Sequence, residues 1–229
     1  MGDILYKMDG EIADIVIEDA SSLNAITLSM WIKLGEILDS IVRDGSARVI
    51  CLSGAGDKAF SAGANLKETQ AIRESKEDLQ LYAMKMRKAL KALKLCPIPT
   101  IAFINGFCIG GGLALAVACD LAYCTKKSTF MMPAARLDIA YDYSGILQFI
   151  HKLGPTACMD LFFTGRTICS EEAREIGLVN KVIEDAEIEA FRAAHSLHVS
   201  KMSKKTIDVV KQAVIDQYVM GFDALKDRQ

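Results

Sequence analysis

Apolar positions along the chain fall into two kinds of run, which predict two kinds of element. Continuous apolar runs at 48–53 and 100–104 are each followed by a glycine-containing turn and predict buried strands. Between 27 and 42, and again between 79 and 93, apolar residues recur every three or four positions, which predicts amphipathic helices. Strands that alternate with helices favour a layered α/β fold.

The remaining pattern extends this prediction to both ends of the chain. The β-rich run Ile12–Glu18 is expected to form an edge or hairpin strand with 4–8, and 59–66 is expected to be a loop of small residues. Further short strands are predicted at 121–124, 129–132 and 179–183, and further helices from the triple glycine onward and near 144–153, 155–163, 170–176, 187–197 and 203–218. Because no linker-like segment interrupts these elements, we expect one core at 1–185 followed by a helical region at 186–229.

Composition and charge narrow the class of protein. The chain has 229 residues, of which 51% are hydrophobic and 24% charged, so it can bury a sizeable core. A net charge of −2 gives no electrostatic reason to expect nucleic acid or an anionic membrane as a partner. The most apolar stretch, at 99–123, is interrupted by glycines and polar residues, and we interpret it as buried core rather than as a membrane span.

Cysteine and histidine usage points away from disulfides and metals. The seven cysteines are odd in number, form no C-x-x-C pair and lie mostly among apolar residues, which indicates reduced core thiols in a reducing compartment. The three histidines have no metal-ligand spacing, so no metal site is predicted. Residues 1–10 do not resemble a secretory signal, and we expect a cytoplasmic protein.

Two loops of small residues are candidates for chemistry. The segment 60–66 would let a ligand approach the backbone closely, although taken alone it is better explained as an ordinary tight loop. The segment 105–112 places three glycines at a helix start, where exposed N–H groups at the positive end of the dipole suit an oxyanion or a phosphate. Close helix packing on glycine is the alternative. A thioester oxygen between the two loops would receive two N–H donors.

The residues of these motifs, and their order along the chain, resemble those of the crotonase (enoyl-CoA hydratase/isomerase) superfamily. The matching segments are Leu23-Asn24-Ala25, 48–54, Phe60-Ser61-Ala62-Gly63-Ala64-Asn65-Leu66, 97–102, Gly110-Gly111-Gly112-Leu113-Ala114-Leu115-Ala116, Ala118-Cys119-Asp120, Phe162-Thr164-Gly165, Glu172-Ala173 and Gly177-Leu178-Val179. The resemblance implies a ββα superhelical core with a C-terminal helical region, an acyl-CoA substrate with no separate cofactor, and a homotrimer or homohexamer. It also implies that the C-terminal region is shorter than usual, so that the acyl pocket is more open or is completed by another chain.

The resemblance also implies roles for particular residues. The backbone N–H groups of Ala64 and Gly111 would form an oxyanion hole for the thioester carbonyl. The residues implied to lie along coenzyme A are Asn24, Ala25, Ile26, Ala62, Ala64, Leu66 and Lys67.

Departures from the family pattern bear on the reaction. The two glutamates of the family's hydratases fall on Ala114 and Ala134, and alanine cannot transfer a proton, which argues against ordinary hydration. The segment 130–145 is similar to the methylmalonyl-CoA decarboxylase type, in which a tyrosine stands at the position of Tyr141. Loss of CO2 itself generates an enolate, so this chemistry suits a site without a base. Tyr141 is equally well interpreted as a half-buried aromatic residue whose hydroxyl finds a backbone partner.

Asp142 is the second candidate for a catalytic side chain, as a base or nucleophile. Its position before a predicted helix favours a simple N-cap instead. Two functions therefore remain open from the sequence. One is an enolate-stabilising acyl-CoA enzyme, such as a decarboxylase, isomerase or thioester hydrolase. The other is a non-catalytic protein that binds CoA esters and has lost its acid/base pair.

Overall fold

The computed structural model describes residues 2–72, 74–139 and 141–223, which form strands β1 to β10 and helices α1 to α8. The strands are β1 (Asp3–Asp9), β2 (Ile12–Glu18), β3 (Val49–Gly54), β4 (Ala59–Ser61), β5 (Thr100–Ile104), β6 (Phe107–Ile109), β7 (Leu121–Thr125), β8 (Thr129–Met131), β9 (Thr167–Cys169) and β10 (Lys181–Ile183). The helices are α1 (Leu28–Asp44), α2 (Leu66–Ala71), α3 (Lys76–Lys94), α4 (Gly111–Ala118), α5 (Tyr143–Thr164), α6 (Ser170–Glu175), α7 (Ile188–Ser200) and α8 (Lys204–Asp223).

The strands form two sheets, to which the chain adds strands β3 to β8 alternately. The larger sheet has the order β1-β2-β3-β5-β7-β10, and the smaller has the order β4-β6-β8-β9. Strands β3, β5 and β7 each join the larger sheet, and the strand that follows each of them joins the smaller one before the chain turns into a helix or a single 3-10 turn. This repeated strand–strand–helix turn is the predicted ββα superhelix.

The two faces of the larger sheet carry separate cores, because successive side chains of a strand point to opposite faces. In β3, Ile50 and Leu52 contact the main core beneath α1, α3 and α4, whereas Val49 and Cys51 contact a smaller core beneath α7. Phe191 of α7 packs against this smaller core. The candidate loops lie on the side of the main core.

Helix α1 begins and ends where its sequence signals predict. The Thr27 side chain accepts a hydrogen bond from the N–H of Met30, and Gly45 closes the helix in a left-handed conformation with φ of 70°. The amphipathic stripe of α1 buries Trp31 and Leu34 in the main core. The α/β prediction and the predicted main strands are therefore confirmed.

Three short strands were not predicted from the pattern. The 59–66 segment, expected to be a loop throughout, begins as strand β4, and strands β6 and β9 were also missed. Each lies next to a glycine-containing turn that masks its short apolar pattern, and pairing with neighbours in the smaller sheet specifies it. Strand β2 forms the predicted hairpin with β1, and it lies inside the larger sheet, between β1 and β3, rather than at the edge. The two helices predicted around Gly154 run together as α5, with a kink at that glycine.

Of the C-terminal helices, α7 packs on the larger sheet, and α8 packs against α5. Lys211 of α8 is buried and forms an ion pair of 2.7 Å with Asp120, at the end of α4. In the described ranges every cysteine is a free thiol, and all except Cys169 are buried. Across the same ranges each helix is too short or too polar to cross a membrane. The division at residue 185 stays a prediction.

Candidate functional site

The first candidate loop leaves strand β4 and turns sharply at Gly63. The N–H of Gly63 donates to Ser61 Oγ over 3.1 Å, and φ of Gly63 is 91°, a value that favours glycine. Beyond it, Ala64 forms a single parallel bridge with Ile26. In that bridge Ile26 N donates to Gly63 O over 2.7 Å, and Asn65 N donates to Ile26 O over 3.0 Å. The ladder therefore uses groups on both sides of Ala64 and leaves the Ala64 N–H out.

The second candidate loop connects strand β6 to helix α4. The N–H of Gly110 donates to Met131 O over 2.9 Å, which ties the loop to β8. Gly111 is the first residue of α4, and the N–H of a first helical residue has no partner inside the helix. The helix dipole adds partial positive charge at this end.

The two loops meet at their amides. An ideal Cβ on Gly63 would lie 3.1 Å from the backbone N of Gly111, and one on Gly111 would lie 3.7 Å from the backbone N of Ala64. A Cβ on Gly112 would lie 2.6 Å from Ser61 O. The glycines thus permit backbone-to-backbone contact. Within the described part of the chain, neither the Ala64 nor the Gly111 N–H donates a hydrogen bond.

The side chain of Asn24 is hydrogen-bonded to the backbone that leads into the first loop. Its amide donates to Ala59 O over 2.7 Å and to Ala55 O over 2.9 Å, and its carbonyl oxygen accepts from Asp19 N over 2.9 Å. The residue is 1% exposed and has φ of 57°. The Asn24 side chain is thus engaged with backbone, and its predicted position beside a nucleotide stays a prediction.

The other residues predicted to lie along coenzyme A surround this loop with different exposures. Ala25 and Ile26 are buried, Ala62 is half-buried, and Lys67 is exposed. Leu66, the first residue of α2, is 59% exposed, which is high for a large apolar side chain. It offers apolar contact area next to the Ala64 amide, and the coenzyme contacts remain predictions.

Residues 114 and 134 are buried and carry only methyl groups. Ala114 lies in α4 and Ala134 in a 3-10 turn, and both belong to the main core. The neighbouring Pro133 borders the second loop, since its Cδ would lie 3.8 Å from a Cβ on Gly110.

Tyr141 precedes α5 as a half-buried ring. It packs edge-to-face on Phe162, with ring centroids 5.0 Å apart, and on Phe149, with centroids 6.3 Å apart. No described residue is a hydrogen-bond partner of its hydroxyl, and the interpretation with a backbone partner stays a prediction. Burial, followed by the charge of Asp142, raises the pKa of the Tyr141 hydroxyl, which is therefore a neutral donor at ordinary pH.

Asp142 is the N-cap of α5. Its carboxylate accepts from the N–H of Gly145 over 3.3 Å and from the Ser144 hydroxyl, and it forms an ion pair of 3.1 Å with Arg87. The interpretation of Asp142 as a cap is confirmed. The use of Asp142 as a base stays a prediction. A base at this position would be a carboxylate that already accepts from three donors.

Trp31 contacts the second loop, and Tyr82 bonds to Ile26, which pairs with the first loop; helical spacing predicts both only as core positions. The Cζ2 atom of Trp31 would lie 3.3 Å from a Cβ on Gly111, and Trp31 Nε1 donates to the Tyr82 hydroxyl over 3.0 Å. Helical periodicity showed that both face inward, but it could not show what they meet.

Comparison with known proteins identifies the class. Residues 7–224 match the family model for enoyl-CoA hydratase/isomerase. A short-chain-enoyl-CoA hydratase of Clostridium acetobutylicum is 29% identical over 188 residues, which cover 82% of this chain and 71% of that protein. A peroxisomal Delta(3,5)-Delta(2,4)-dienoyl-CoA isomerase of Arabidopsis thaliana is 33% identical over 189 residues, which cover 78% and 68%. The chain belongs to the enoyl-CoA hydratase/isomerase family.

A solved structure agrees with the fold. The crystal structure of an enoyl-CoA hydratase/carnitine racemase from Magnetospirillum magneticum superposes with a TM-score of 0.89 at 33% identity, over 93% of this chain and 80% of that one. The crotonase-like α/β fold predicted from the motifs is confirmed.

Proposed function

We propose that this protein binds an acyl-CoA thioester and stabilises the enolate formed from it, with the Ala64 and Gly111 N–H groups as an oxyanion hole. The observation that carries the proposal is the meeting of these two amides, neither of which is engaged by another described group. Donors that already point to where negative charge develops lower the barrier without reorganising during the reaction.

Decarboxylation is the reaction that best suits the remaining side chains. Ala114 and Ala134 stand where the resemblance expects two glutamates, and neither can move a proton. In a decarboxylation the bond from the α-carbon to the carboxylate breaks, its electron pair enters the enolate, and CO2 leaves. A proton from solvent water then adds to the α-carbon, and hydroxide is left to the bulk solvent. The neutral Tyr141 hydroxyl is the group we assign to orienting the carboxylate that departs.

The second candidate function is binding of a CoA ester without turnover. The two alanines favour it, because an oxyanion hole without an acid or base can still hold a thioester carbonyl. This candidate expects calorimetric binding of CoA esters and no product. Under either function we expect a homotrimer or homohexamer, as the family resemblance implies, and we expect it in the cytoplasm, as the cysteine usage indicates.

A matched pair of substitutions at Gly111 tests the oxyanion hole. Gly111→Ala adds a Cβ that would lie 3.3 Å from Trp31 but keeps the N–H, whereas Gly111→Pro adds a ring at the same place, which the first position of a helix tolerates, and removes the N–H. With panels of methylmalonyl-CoA, enoyl-CoA and acyl-CoA esters, we expect Gly111→Pro to turn over about 100-fold more slowly than Gly111→Ala. Equal rates in the two variants would contradict the proposal.

Tyr141→Phe distinguishes the two functions. If Tyr141 orients the departing carboxylate, the variant binds the ester but releases CO2 about tenfold more slowly than wild type. If wild-type protein binds CoA esters and forms no product from any panel, the binding function replaces the enzymatic one.

A further inference from the structure

Trp31 and Tyr82 form a buried chain of hydrogen bonds that ends on Ile26, the residue that pairs with the first loop. Trp31 Nε1 donates to the Tyr82 hydroxyl over 3.0 Å, and that hydroxyl donates to Ile26 O over 2.9 Å. Trp31 is 1% exposed and Tyr82 7% exposed. The chain therefore joins α1 and α3 directly to the backbone of Ile26, which pairs with the first loop.

Ile26 is the residue through which this chain reaches the oxyanion hole. Its carbonyl oxygen accepts from Tyr82 and also from Asn65 N over 3.0 Å, while its N–H donates to Gly63 O over 2.7 Å. The two bonds to the loop bracket Ala64. Whatever orients the Ile26 peptide therefore orients the peptide that carries the Ala64 N–H.

Trp31 also supports the second amide. Its Cζ2 atom would be 3.3 Å from a Cβ on Gly111, so the indole ring lies directly against the first turn of α4. One side chain thus packs beside Gly111 and, through Tyr82, is hydrogen-bonded to the bridge that contains Ala64.

We propose that Trp31 and Tyr82 are positioning residues, which hold the Ala64 and Gly111 amides at the separation that binds an oxyanion. This inference rests on the proposed function. Packing alone would be satisfied by a phenylalanine at 82, and the hydroxyl adds a donor and an acceptor that are both used. Burial raises the pKa of Tyr82 to about 12, so the hydroxyl keeps the proton that it donates to Ile26. A chain of bonds in which the middle hydroxyl both donates and accepts is strengthened by mutual polarisation.

Tyr123 provides a matched control for Tyr82. It is also 7% exposed, and its hydroxyl is hydrogen-bonded to His195 Nε2 over 2.7 Å, in the smaller core beneath α7. The variants Tyr82→Phe and Tyr123→Phe each remove one buried, bonded hydroxyl, but only the first hydroxyl reaches the loops. A purely structural role predicts the same effect for both.

The kinetic test uses whichever CoA ester the wild-type protein turns over. We expect Tyr82→Phe to lower kcat about tenfold with KM changed less than twofold, since the loss falls on donors to the transition state. Trp31→Phe should lower kcat at least as much, because it also removes the ring edge beside Gly111. Tyr123→Phe should leave kcat within about twofold of wild type. Equal losses of kcat in Tyr82→Phe and Tyr123→Phe would overturn the inference.

Amide hydrogen exchange tests the same inference without any substrate. The Ile26 and Asn65 amides both donate within the bridge, and we expect them to exchange about tenfold faster in Tyr82→Phe and unchanged in Tyr123→Phe. Exchange that is the same in both variants overturns the positioning role, whether or not the protein is an enzyme. Faster exchange in Tyr82→Phe without turnover by the wild type would support the positioning role and count against the proposed reaction.

Discussion

The two faces of the six-stranded sheet carry different kinds of polar contact. On the face beneath α1 and α4, Asn24 and Tyr82 are buried, neutral and hydrogen-bonded to backbone carbonyls near the candidate amides. On the face beneath α7, the contacts involve ionisable groups. Arg192 pairs with Asp14 over 2.7 Å, and His195 bonds to the Tyr123 hydroxyl.

The two faces therefore depend on different kinds of contact. Neutral hydrogen bonds support the backbone near the candidate site, and ionisable groups attach helix α7 to the sheet. Asn24 and Tyr82 are neutral and keep one hydrogen-bonding pattern over a wide pH range. Charged groups also occur on this face, since Asp142 pairs with Arg87 and Glu68 accepts from Leu28 N over 2.8 Å. Charged and titrating groups attach α7 with a strength that depends on protonation. We therefore expect substitutions on the first face to alter activity, and substitutions on the second face to alter stability and its pH dependence.

Gly63→Ala should have the largest effect, because it strikes the point where the two loops meet. At φ of 91°, the new Cβ would lie 2.8 Å from Ile109 O and 3.1 Å from Gly111 N, so the loops must separate. We expect the free energy of unfolding to fall by about 2–4 kcal/mol and turnover to be lost. Chemical denaturation and a turnover assay with CoA esters measure the two effects.

Gly56→Ala is the control for this prediction. Its φ of 76° carries the same kind of conformational cost, but no atom lies within 4 Å of the new Cβ. We expect a loss of about 1 kcal/mol and full activity. If both alanine variants lose the same stability and activity, the close approach of the loops is not what Gly63 provides.

Asp142 tests whether the first face needs a charge. The Asp142→Ala variant removes the cap of α5 and should cost about 1 kcal/mol, whereas Asp142→Asn keeps a capping oxygen and should cost about 0.5 kcal/mol or less. Since the ion pair with Arg87 is largely exposed, losing it contributes little. Thermal unfolding and kcat are compared for both variants. Loss of turnover in Asp142→Asn at unchanged stability would instead show that the carboxylate is the base.

Replacing His195 should have the smallest effect. We expect it only in how steeply the free energy of unfolding changes with pH. Burial, followed by the nearby His198 and Lys181, lowers the pKa of His195, so the unfolded chain binds this proton more readily than the folded one. The stability contributed by the neutral ring is present above the unfolded pKa of about 6.5 and is lost as pH falls through the folded pKa. Because the ring is half-buried, we expect at most about 1 kcal/mol.

The measurement is the free energy of unfolding from pH 7 to 5 in wild type and His195→Gln. We expect the wild-type values to fall more steeply over this range. Parallel slopes in the two proteins would remove His195 from the pH dependence and weaken the contrast between the two faces.

Local signals were enough to predict much of the fold. Helix α1 follows from Thr27, an apolar stripe and Gly45, and strands β3 and β5 follow from continuous apolar runs. Strands β4, β6 and β9 could not be predicted in this way, because glycine-containing turns flank them and their hydrogen bonds go to distant segments. The N-cap at Asp142 could be predicted for the same reason as α1, because a cap bonds only within the first turn of its own helix.

The sequence by itself determined the α/β class, the two small-residue loops and, through the resemblance, which two amides to examine. Only the tertiary structure decided that the amides of Ala64 and Gly111 meet, and that Tyr82 reaches Ile26 across 56 positions of chain. Hydrophobic period and capping depend on neighbours a few residues away, so they can be read along the chain. Contact between loops depends on how the two sheets stack, and no local pattern contains that information.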